Sequence, residues 1–64
     1  MCLSTVYLES RSDDAIVLRE VARVSEGEDG VRASTLFGEE QLFEGCSVRE
    51  VSMVENYVVL SKGG

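Results

Sequence analysis

Six or seven short stretches of alternating apolar and polar residues, each ended by a turn signal, constrain this chain more than any other feature. Cys2-Leu3-Ser4-Thr5-Val6-Tyr7-Leu8-Glu9 opens the series, its Val, Tyr and Thr content favouring a strand. Ser10 to Asp14 is a polar turn cluster, and Ala15 to Leu18 is an apolar run too short for a helix. Arg19 to Ser25 has helical propensity, but the β-branched Val21 and Val24 make Val21 to Ser25 a strand. Glu26-Gly27-Glu28-Asp29-Gly30 reads as a hairpin loop and Val31 to Leu36 as its returning strand. Phe37 to Glu40 breaks the pattern before a short strand, Gln41 to Glu44. Cys46 to Val54 alternates with a bulge expected at Arg49-Glu50, and Glu55-Asn56 is a tight turn, asparagine tolerating a left-handed backbone. Tyr57 to Leu60 closes the series, and Ser61 to Gly64 is expected to fray. The spacing predicts an all-β domain over residues 1–64, a small antiparallel barrel-like sheet of six to seven short strands.

A sheet of this size cannot cover all its own apolar faces. A chain of 64 residues buries only about 60% of its extended surface, so a homodimer is expected, and a bound metal would help. Hydrophobic residues make up 44% of the chain, too many for a disordered tail. No apolar run approaches the ~18 residues of a membrane span, and the start lacks a secretory leader, so a cytoplasmic protein with reduced thiols is expected. Twelve acids against six bases give a formal charge of −6, which repels a phosphate backbone. The arginines are scattered and the four aromatics lie far apart in sequence, which also argues against nucleic acid.

The candidate site is Met1-Cys2. A Met1 amine, the deprotonated Cys2 amide nitrogen and the Cys2 thiolate would form two fused five-membered chelate rings in one plane. Planar nitrogen and sulfur donors suit Ni(II) or Cu(II) rather than tetrahedral Zn(II). The bland alternative is a small, partly buried cysteine at a strand start. Histidine is absent, so any metal site rests on thiolate, carboxylate or backbone donors, and no Ser/His/Asp or Cys/His catalytic pair can form. Glu39-Glu40, Asp13-Asp14 and Glu26/Glu28/Asp29 lack acid/base or calcium-loop spacing and read as solvated turns. Cys46, among apolar neighbours, reads as a buried structural thiol rather than a ligand.

Four stretches bear on identity: Met1-Cys2 with its strand, Ser34-Thr35-Leu36-Phe37-Gly38-Glu39-Glu40, Phe43-Glu44-Gly45, and Val48-Arg49-Glu50-Val51. In this order the chain resembles the small CooT-type family, accessory proteins for nickel insertion into carbon monoxide dehydrogenase. The resemblance implies a compact β fold, a homodimer, and Ni(II) bound through Cys2 near the dimer axis. It also implies as partner a nickel enzyme or its maturation proteins. The wider family has carried a "predicted RNA-binding" label. Two readings follow: a non-enzymatic nickel-binding accessory protein, or an RNA-binding or protein-interaction β-barrel module in which Cys2 is incidental.

Overall fold

The computed structural model describes residues 3–63; Met1, Cys2 and Gly64 lie outside the described residues. Six strands form one sheet: β1 (Ser4–Leu8), β2 (Ile16–Gly27), β3 (Gly30–Thr35), β4 (Glu40–Glu44), β5 (Cys46–Ser52) and β6 (Tyr57–Lys62). A single 3-10 turn, Asp13–Ala15, precedes β2, and among the described residues no helix is long and apolar enough to cross a membrane. The strand order is β4-β3-β2-β1-β6-β5.

Two features correct the antiparallel barrel expected from the sequence. The sheet is mixed, because β1 and β6 run parallel, with Thr5 opposite Tyr57 and Leu8 opposite Leu60. It is also open. Closure would need β4 to pair with β5, but Gly45 alone joins them, and one residue cannot reverse a chain as a hairpin turn does. Gly45 turns a corner instead, at φ 72°, a backbone that glycine adopts without a Cβ clash. Individual strands carry alternation on their own faces; which strands become neighbours is a tertiary matter.

The β2 strand bends the sheet. The sequence reading split this stretch into a short apolar run and a strand from Val21, whereas the structure runs continuously from Ile16 to Gly27. Glu20 sits at φ 58° and the register slips on both sides of it, against β1 and against β3. The first half of β2 therefore faces β1 and the second half β3, with Val21 opposite both Ser4 and Thr35. The hairpin closes on two residues, Glu28-Asp29, between the paired Gly27 and Gly30.

This curl lets β3 and β5 pack across one interior. Val6, Val21, Val31, Ala33, Cys46, Val58 and Leu60 form the core. Complete burial of Val6, Val31 or Leu60 stabilises the fold by about 1.5–3 kcal/mol each. The alternation in β3 is clean, Val31, Ala33 and Thr35 inward and Arg32 and Ser34 more exposed. The bulge expected at Arg49-Glu50 is present as a register shift between Val48 and Glu50, and Asn56 takes the expected left-handed turn at φ 60°. Ser61 and Lys62 do not fray: they pair with Ser47 and Cys46.

Candidate metal centre

The predicted ligands, Met1 and Cys2, lie outside the described residues, and the structure describes what they lead into. Ser4, the first residue of β1, is paired with Val21 and lines an open groove of about 440 Å³. Val21, Val24, Val51, Met53 and Val58 give the groove its apolar lining. Met53 is 84% exposed and the adjoining Val54 is 89% exposed, so apolar surface continues outward from the groove.

Cys46 sits in the core with Val6 and Leu60 as cluster members and is buried. That agrees with a structural thiol. Among the described residues no group of three or more Cys, Asp or Glu is arranged to hold a metal.

The carboxylates have other work. Glu26 Oε1 accepts a hydrogen bond from the Val48 amide at 3.0 Å, so a β2 side chain occupies an edge donor of β5. Glu9, held at φ 73° just past β1, is a clamp. Its Oε2 accepts from the Lys62 amide at 2.8 Å, and its carbonyl accepts from Arg49 Nη1 at 2.6 Å. Sequence reading missed both roles, because each joins residues more than twenty positions apart.

The outer face of the β1–β6–β5 region carries a second polar and aromatic group that sequence spacing also hid. Tyr7 and Tyr57 meet edge to face with centroids 6.0 Å apart, and the Arg11 guanidinium lies 4.2 Å from the centroid of the Tyr57 ring. Arg11 also pairs with Glu55 at 2.9 Å. The Tyr57 hydroxyl donates to Glu50 Oε2 at 2.7 Å, and this bond to a carboxylate, followed by burial, raises the phenol pKa above its usual value. With one ring face taken by Arg11, Tyr57 is poorly placed to stack on a base.

The comparisons with known proteins agree with this fold. The chain superposes on a crystal structure of a candidate CooT from Carboxydothermus hydrogenoformans with a TM-score of 0.82, covering 98% of this chain and 100% of that one. At 14% identity that likeness concerns the fold. No curated protein matches. The family model of the CO dehydrogenase accessory protein CooT matches residues 1–61. With nearly the whole chain inside that match, the protein belongs to the CooT family of carbon monoxide dehydrogenase accessory proteins.

Proposed function

We propose that this accessory protein carries Ni(II) as cargo, held by the Cys2 thiolate with the Met1 amine as a further donor, and hands it on toward carbon monoxide dehydrogenase. The observation that carries the reading is the membership of a family that serves this enzyme, in a chain that opens on Met1-Cys2. The donor chemistry fits: thiolate and amine nitrogen suit Ni(II), and the other thiol, Cys46, is enclosed by apolar side chains. A chain end is also a reasonable place for an ion that must leave again, since termini are readily exposed.

The functional unit in this reading is a cytoplasmic homodimer whose two amino termini meet at one ion. The groove at Ser4 supports it, because Val51 and Met53 line the same groove as Ser4 and are exposed, as is the adjoining Val54. A second copy covering that surface would remove exposed apolar area from water. The test is native mass spectrometry of the protein with and without Ni(II). One ion per dimer is expected, and one ion per monomer in separate sites would overturn the shared arrangement.

A further inference from the structure

The turn between β3 and β4 is built to present two side chains that the fold itself does not use. Thr35 is a buried polar residue, and its Oγ1 accepts from the amides of both Phe37 and Glu39 at 3.2 Å. The Thr35 amide donates to the Glu39 carbonyl at 2.8 Å, the Gly38 amide to the Thr35 carbonyl at 3.1 Å, and the Leu36 amide to Glu20 on β2 at 2.9 Å. Five hydrogen bonds thus fix a turn of five residues, and the tip still points outward: Phe37 is 77% exposed and Leu36 55%. A rigid aromatic costs little further ordering on binding, the property of an interface anchor.

Beside this knob is a recess of about 350 Å³ lined by Leu18, Glu39, Glu40 and Gln41. Half-buried Leu18 gives it an apolar wall, and the two exposed glutamates give it a negative border. Arg32 stands 3.8 Å from Glu40, while Glu39 has no ion pair among the described residues. A lysine or arginine would lay its methylene stem along Leu18 and place its charge between the carboxylates.

We propose that Phe37 and this recess form one docking surface for a basic partner protein, whose Lys or Arg enters the recess while Phe37 fills an apolar pocket beside it. Charge selects the partner: two copies of this face, each bordered by Glu39 and Glu40, would repel each other, and the same carboxylates repel an anionic lipid surface. The groove at Ser4 shares no residue with this surface, so self-association and partner docking can coexist.

The test replaces Phe37 with photo-reactive benzoylphenylalanine in the cells that make the protein, followed by mapping of the adduct. Expected is one partner joined at a peptide that carries Lys or Arg near apolar residues. That partner, once purified, is titrated with the metal-free protein, so that the result does not depend on nickel. Phe37→Ala should weaken binding at least tenfold. The pair Glu39→Gln with Glu40→Gln should weaken it about fivefold at low salt and hardly at all at high salt. Neither variant should move the melting temperature by more than a degree or two, since these side chains are exposed. Adducts only with another copy of this chain, adducts only with lipid, absence of any adduct, or binding indifferent to both variants would overturn the proposal.

Discussion

In the proposed reading the two cysteines take different parts, and each part has its own test. Cys46 was legible as structural from its apolar neighbours, and it packs in the core with Val6 and Leu60. Cys46→Ala should therefore lower stability by about 1–2 kcal/mol in denaturant unfolding while nickel affinity stays unchanged. Cys2→Ser should do the reverse, abolishing tight Ni(II) binding and the sulfur-to-nickel absorption bands with the melting temperature kept. A serine variant that binds as tightly as the parent would show the site to be misplaced. A few residues added before Met1 convert the amine to an amide, and calorimetry should then find Ni(II) at least tenfold weaker, about 1.4 kcal/mol. Tyr57 gives a pH prediction of definite sign. Its pKa is raised in the folded state, chiefly by the bond to Glu50, so folding favours the protonated phenol. That contribution is complete below the unfolded value of about 10 and is lost as pH rises through the folded value. Thermal melts at increasing alkalinity should fall more steeply for the parent than for Tyr57→Phe.

Among the elements, β3 was the easiest to read and β2 the hardest, for one reason. Alternation in β3 is uninterrupted, so its inward set of Val31, Ala33 and Thr35 follows from a period of two. In β2 the left-handed Glu20 shifts the register midway, so inward residues change parity and the pattern looks like two segments. Gly30 shows how tightly such elements are joined. At φ +141° it lies where side chains are strained, and a Cβ there would run into the Phe43 carbonyl of β4. Gly30→Ala should cost about 2–4 kcal/mol, well beyond the usual glycine-to-alanine effect, and urea unfolding would measure it. An unchanged midpoint would mean that β4 can move away freely. The family-like stretch Val48-Arg49-Glu50-Val51 also has structural work here. Arg49 bonds the Glu9 carbonyl, and Glu50 receives the Tyr57 hydroxyl.

For the molecule as a whole, the apolar surface left at Val51, Met53 and Val54 is where a second copy is expected to sit. Met53→Asp would place a desolvated charge in that contact, and sedimentation should then report monomers without loss of the far-UV strand signal. A dimer that persists would move the interface elsewhere. What the sequence determined alone is everything that acts over a few bonds. It specified the strands other than β2 by alternation, the Asn56 turn and the β5 bulge by local chemistry, and the buried character of Cys46 by its neighbours. It also made Met1-Cys2 the candidate nickel site, since amine, amide and thiol are adjacent by covalent structure. The tertiary structure alone decided the parallel pairing of β1 with β6, the open seam at Gly45, and the Glu9 and Glu26 clamps. Each of those depends on residues brought together from distant positions. A strand's period records which face is buried but not which strand lies beside it, and that choice belongs to the packed chain.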